Sequence, residues 1–150
     1  MRFDQQFVVD ASPDAVWAFL TDVPRMAGCI PGAGALEAID DTTYDTVVSA
    51  KIGPITARFA CRVAIVELDR DKQTGIVEVS GKDVKLGGGM KARSRLQLSG
   101  SGPTTVTIGS DVEVLGKIGQ YGHGMVAKRA DAMLESFADC FRARIAESNS

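Results

Sequence analysis

From residue 35 to residue 115 apolar and polar side chains alternate with a period of two, and after residue 115 the period becomes helical for the rest of the chain. Turn signals cut the first stretch into short pieces: Asp40-Asp41, Gly53-Pro54, residues 69–72, a glycine-rich loop, and residues 99–103. The spacing predicts strands over 36–39, 43–52, 55–68, 75–82, 89–98 and 105–115, joined closely enough to be hairpins. Ahead of them, Phe3, Phe7 and Val9 nearly alternate with polar residues and predict a further strand. Behind them, residues 118 to about 146 contain no proline and amount to a helix of roughly 43 Å at 1.5 Å per residue, long enough to cross a whole sheet. Its apolar residues Val126, Ala130, Met133, Phe137, Phe141 and Ile145 share one face. The order strand, short helices, antiparallel meander, long helix predicts an α+β fold in which a curved seven-strand antiparallel sheet grips the C-terminal helix.

Between the first strand and the meander lies SPDAVWAFLTDVPRMAGCIPG. Ser12 can cap a helix, Pro13 suits its first position, and Asp14 favours the positive end of the helix dipole. Val16, Trp17, Phe19 and Leu20 form its apolar face. Pro24 biases Val23 away from helix, so a second short helix is expected around residues 25–28. Ile30-Pro31-Gly32 then fits a type II turn, with Gly32 taking the positive φ.

The alternation assigns one sheet face to Val48, Ala57, Phe59, Cys61, Val63, Val77, Val79, Gly81, Met90, Ala92, Ser94, Leu96, Val106, Ile108 and Ser110, and the other to Arg58, Arg62, Glu78, Lys82, Lys91, Arg93, Arg95, Asp111 and Glu113. The first face must point inward. Near its middle the side chains are small: Ala50, Ala57, Cys61, Gly81, Ala92, Ser94 and Ser110. Large residues belong there if sheet and helix pack solidly, because voids are destabilising. A hydrophobic cavity is therefore expected, with the Ser94 and Ser110 hydroxyls as polar contacts. The competing reading is that Trp17, Met133 and Phe137 fill the space.

With 150 residues, 45% hydrophobic and 24% charged, the chain has the size and composition of one globular domain, residues 1–150. A net charge of −2 with no basic stripe gives no ground for nucleic-acid binding. No apolar run reaches 18 residues and MRFDQQFVVD has no signal-like apolar region, so a cytoplasmic location is expected. Cys29, Cys61 and Cys140 are odd in number, far apart and outside any CxxC pair; each reads as a small buried hydrophobe, with a reactive thiol at Cys29 the less favoured alternative. The basic row Lys91, Arg93, Arg95 reads as a solvated outer face offset by acids on neighbouring strands, ahead of contact with an acidic partner or lipid. Gly116, Gly119, Gly122 and Gly124 surround Tyr121, His123 and Met125 at the start of the long helix, and suit either a pliable ligand entrance or close backbone packing. His123 reads more readily as a capping or solvent-facing group than as a general base. No HExxH, Walker A, GxSxG or paired-carboxylate motif appears, and neither a catalytic residue, a metal nor a cofactor is expected.

The segments SPDAVWAFLTDVPRMAGCIPG, VSAKIGPITARFACRVAIVELD, GGGMKARSRLQL and LGKIGQYGHGM together resemble the G-subunit family of carbon monoxide dehydrogenase, of the START-related helix-grip superfamily, over essentially the whole chain. The CIPG turn and the KIGPITARF hairpin carry most of the likeness. The resemblance implies an accessory, non-catalytic protein of a molybdenum hydroxylase system. It would bind a lipid or quinone in the cavity and aid electron-acceptor delivery, or recruitment by peripheral contact with the inner membrane face. From strand facing and superfamily geometry, the expected ligand-binding residues are Trp17, Met26, Ile30, Phe59, Met90, Ser94, Tyr121, Met125, Arg129, Met133 and Phe137. Two rivals stand beside this reading: a polyketide cyclase- or hydratase-like enzyme, and a protein-docking module without ligand.

Overall fold

The computed structural model describes residues 1–52, 54–83, 87–116 and 122–148. Strand β1 (Arg2–Val9) is followed by helices α1 (Pro13–Thr21) and α2 (Val23–Ala27), then by strands β2 (Glu37–Ala38), β3 (Thr43–Ile52), β4 (Ile55–Asp69), β5 (Thr74–Asp83), β6 (Gly88–Ser99) and β7 (Thr104–Gly116), and by helix α3 (Gly122–Ser148). The strands form one antiparallel sheet in the order β1-β7-β6-β5-β4-β3-β2. The meander is thus local, and β1 closes it by pairing with the last strand. Strand bounds match the periodicity to within a residue, apart from the shorter β2.

The α1 start follows from its cap: Ser12 Oγ accepts from the Ala15 N–H at 3.2 Å, and the Ser12 carbonyl accepts from Val16. The second helix corrects the expectation for Val23. It begins at Val23 because Asp22 caps it, accepting from the Arg25 N–H, and Pro24 falls in the first turn, where a missing N–H has no partner to lose. The turn that follows is as expected: Gly32 has φ +78°, and the Ile30 carbonyl accepts from Ala33. Gly32 also touches β3. Its carbonyl accepts from the Ser49 N–H, and a Cβ at Gly32 would lie 2.1 Å from the Ser49 carbonyl oxygen, so no other residue fits the turn against the strand.

The main core lies between the C-terminal half of α3, the α1 face and the β1-β7-β6 end of the sheet. Phe141 is fully buried, with ring centroids 4.5 Å from Phe19 and 5.7 Å from Phe7. Val9, Val16, Leu98, Val106, Ala138 and Ile145 complete it. The buried Thr104 hydroxyl donates to the Ala11 carbonyl at 2.8 Å, which satisfies the polar group inside that core. A second, smaller cluster of Ala57, Phe59 and Cys61, with Val48, Val79, Met90 and Val114 against it, closes the opposite end of the sheet.

The outer sheet face is a charge ladder. Arg62 donates to both Asp45 oxygens at 2.8 and 2.9 Å, Arg93 pairs with Glu78 directly across from it, and Arg2 bridges Asp4 and Asp111. The expected offset of the basic row by neighbouring acids is present at Arg93. One feature departs from the simple alternation: a bulge between Ile65 and Glu67 flips the facing of the end of β4, so that Leu68 joins Pro13 and Trp17 beside α1 instead of lying on the outer face.

Candidate functional site

Cys29 and Cys140 form a disulfide, with Cα atoms 5.4 Å apart. This corrects the reading of Cys29 and Cys140 as unpaired hydrophobes, whereas Cys61 is the small buried hydrophobe expected. Cys29 follows α2 directly and Cys140 lies on α3, so the bond ties the CIPG segment to the long helix across 111 residues of sequence. Cys61 is the free cysteine among the described residues; it is buried, and burial pushes its thiol pKa up, against a weaker opposing backbone hydrogen bond from Val48.

Between the two sealed clusters the inner sheet face is only partly buried. Val63, Ile65, Val77, Ala92, Ser94, Leu96, Ile108, Ser110 and Val112 all keep some solvent contact, as do Val126, Ala127, Arg129, Ala130, Met133 and Leu134 on the N-terminal half of α3. Further along the same helix, Ala138, Phe141 and Ile145 are buried. The helix is therefore pressed to the sheet at its C-terminal end and less closely covered toward its N-terminal end. On the sheet floor the Ser94 and Ser110 hydroxyls, paired across β6 and β7, hydrogen-bond to each other at 2.8 Å.

The small inner residues divide into two kinds. A Cβ on Gly81 would meet Cys61 Sγ at 3.0 Å and Phe59 Cβ at 3.3 Å, so Gly81, Ala57 and Cys61 are small because Phe59 and Met90 occupy the space. Ala92, Ser94 and Ser110 belong to the partly buried band. The expected site residues spread accordingly. Phe59 and Met90 pack in the smaller cluster, while Trp17, Met26 and Phe137 pack against the main core, Phe137 with its ring 6.1 Å from Phe7. Trp17 also borders a groove of about 1160 Å³ between α1 and the turns carrying Gln73 and Gly100. Ile30, Ser94, Arg129 and Met133 are partly buried, Met125 is 39% exposed, and Tyr121 lies outside the described residues, as does the His123 side chain.

Two grooves missed by the sequence reading lie on the outer face. One of about 930 Å³ has Val47, Ala60, Lys82, Lys91 and Leu115 along it, and another of about 850 Å³ runs over Arg2, Arg62, Glu78, Arg93 and Asp111. Exposed Leu115 and Val47 among outward charges were the available sequence signal. Asp83, at the end of β5, is the buried acid among the described residues, and no group of side chains there could hold a metal ion. No helix is long and apolar enough to cross a membrane among the described residues.

A curved antiparallel sheet wrapped on a long C-terminal helix, with two short helices after the first strand and a partly open inner face, defines a START-like, helix-grip fold. The chain belongs to the CoxG family, the G-subunit family of carbon monoxide dehydrogenase, whose model matches residues 6–146. A conserved protein from Geobacillus kaustophilus has the same fold with a TM-score of 0.89 at 20% identity, covering 99% of this chain and 97% of that one. A START superfamily protein from Mycobacterium smegmatis reaches 0.70 at 18% identity over 97% of both chains. Norcoclaurine synthase from Thalictrum flavum reaches 0.68 at 16% identity, over 100% of this chain and 96% of its own. No curated protein matches the sequence.

Proposed function

We propose that this chain is a non-catalytic carrier of a hydrophobic small molecule, a lipid or quinone, held between the inner sheet face and the N-terminal half of α3. It would serve a molybdenum hydroxylase of the carbon monoxide dehydrogenase type, by delivering the electron acceptor or by aiding recruitment at the inner membrane face. The observation that carries the reading is the partly buried apolar band between two sealed clusters, with the Ser94–Ser110 hydroxyl pair within it. Apolar walls with a few polar points suit a cargo whose burial contributes about 25 cal/mol per Å² and whose head needs a donor or two. Family membership supports the accessory role.

Native mass spectrometry of the purified protein, with solvent extraction of what it retains, tests this. Recovery of an apolar molecule, or binding of an added quinone, is the expected result; recovery of none together with failure to bind any quinone offered removes the carrier reading.

Asp83 favours a second reading, an enzyme of the cyclase or hydratase kind, because it places a buried carboxyl on the inner-face side of β5. Turnover of an aromatic or polyketide substrate that disappears in Asp83→Asn, while that variant keeps its thermal midpoint, would establish the enzyme.

A further inference from the structure

We infer that the outer sheet face carries a docking trough, centred on Lys82, for an extended acidic segment of a partner protein. The trough lies on the opposite side of the sheet from the band proposed to hold the cargo, and it stands whether or not that band is filled.

The strand register sets the outward side chains in rows that cross the sheet. One row carries Glu78, Arg93, Asp111 and Arg2; the next carries Asp45, Arg62, Lys91 and Glu113, with Glu37 of β2 at its edge. Neither row has more bases than acids, and Arg2–Asp111, Arg62–Asp45 and Arg93–Glu78 are bonded pairs. The third row, Val47, Ala60, Lys82, Gly89 and Leu115, breaks this pattern. Its one charge is Lys82, and beyond it toward the β3–β4 turn the outward charges are Arg58 and Lys51, with no acid. All three cations are exposed, and none is ion-paired among the described residues. Asp83, next to Lys82, is buried on the inner side. The connecting sequences that follow β3, β5 and β7, residues 53–54, 84–87 and 117–121, add Lys85 and Lys117 and no carboxylate. In a chain of net charge −2, positive charge is thus gathered at one end of one face.

The third row is also low in its middle. Ala60 is short, and a Cβ at Gly89 would lie 2.4 Å from the Gly81 carbonyl oxygen, so position 89 admits no side chain. Val47 and Leu115 stand at the two ends, 37% and 49% exposed, on a face otherwise given to charges. The row forms part of the groove of about 930 Å³, with Arg62 and Lys91 along one bank. From β3 to β7 it crosses four interstrand spacings, about 19 Å, the reach of about six extended residues. A segment with an apolar residue at each end and carboxylates between them covers Val47 and Leu115 and brings negative charge to Lys82. A hollow bounded by apolar ends accepts a chain laid along it, whereas membrane contact needs apolar side chains that project beyond their surroundings.

The test uses the full chain and fluorescence anisotropy with three labelled hexapeptides: leucine at both ends with glutamates between, leucine at both ends with serines between, and glutamate throughout. The wild type is expected to bind the first about tenfold more tightly than either control, and to lose most of that binding between about 50 and about 300 mM salt. Lys82→Glu is expected to weaken it by about three- to tenfold, Leu115→Ser by about threefold, and Lys72→Glu, a charge reversal in the β4–β5 turn, by less than about twofold. Lys72, Lys82 and Leu115 are all exposed, so the fold is not at stake in these variants. Failure of the wild type to bind the first peptide overturns the proposal. So does binding that survives unchanged in both Lys82→Glu and Leu115→Ser, or that falls as far in Lys72→Glu. Phosphatidylglycerol vesicles that bind the wild type and not Lys82→Glu, with no peptide bound, assign the face to a membrane and overturn it as well.

Discussion

Opening the Cys29–Cys140 bond should be among the larger single perturbations this fold can suffer. The bond closes a loop of 111 residues, and on the chain-entropy view a loop of that size stabilises the folded state by about 4–5 kcal/mol through the unfolded ensemble. For a chain of 150 residues, each kcal/mol moves the thermal midpoint by about 2–4 °C, so reduction should lower it by roughly 10–20 °C. The assay is circular dichroism melting of the wild type with and without a phosphine reductant, set beside Cys140→Ala, in which reductant should have no further effect. A thiol titration of denatured protein accompanies it: one reactive thiol, Cys61, before reduction and three after. Three thiols without reductant, or a midpoint that moves by less than about 3 °C on reduction, would refute the reasoning. The bond also ties stability to surroundings, since a reducing cytosol opens such links and an oxidising compartment keeps them.

Further outcomes follow from other sites. Gly32→Ala must move a Cβ out of the Ser49 carbonyl and hold a positive φ, and is expected to lose more than about 1–3 kcal/mol in urea unfolding. Phe141→Ala removes the centre of the aromatic cluster and should cost about 3–5 kcal/mol by the same measurement. The hydrogen bonds from Arg62 hold the Asp45 carboxyl below the ordinary carboxylate range. Its folded pKa is the lower one, so its small, salt-screened contribution is present at neutral pH and is lost as pH falls below about 4. Asp45→Asn should accordingly differ from the wild type at pH 7 and converge with it in acid-unfolding curves at low pH. Cys61, with its thiol pKa pushed up by burial, should react with iodoacetamide far more slowly in native than in unfolded protein at pH 8.

The meander is legible in the sequence because its outward positions carry charges that cannot be buried, which leaves one register for every strand. Gly32 is legible too, since Pro31 and Gly32 leave little choice of turn. The disulfide is not, because a pairing across 111 residues leaves no spacing to read. The bulge at β4 is hidden by AIVEL, where apolar residues stand on both sides of the slipped position. Small inner residues are ambiguous for a physical reason: a short side chain either leaves room or accommodates a large neighbour, and only coordinates separate Gly81, which accommodates Phe59 and Cys61, from Ser94 and Ser110. The inner surface can therefore be read from the residues as a face, and less well as a set of lining side chains.

The pairing of β1 with β7 carries a consequence for how the protein comes into being. Arg2 sits opposite Asp111 and Val9 opposite Thr104, so the first strand has no partner on the ribosome until more than a hundred residues have been made. Its apolar side chains Phe3, Phe7 and Val9 remain available to other chains through that interval. Strands β3 to β7 can pair hairpin by hairpin as they emerge, but the sheet edge beside β7 and the core around Phe7 are completed by β1, made about a hundred residues before its partner. Synthesis and final closure thus run in opposite directions along the sequence, which makes β1 the strand that chaperones would most need to shield.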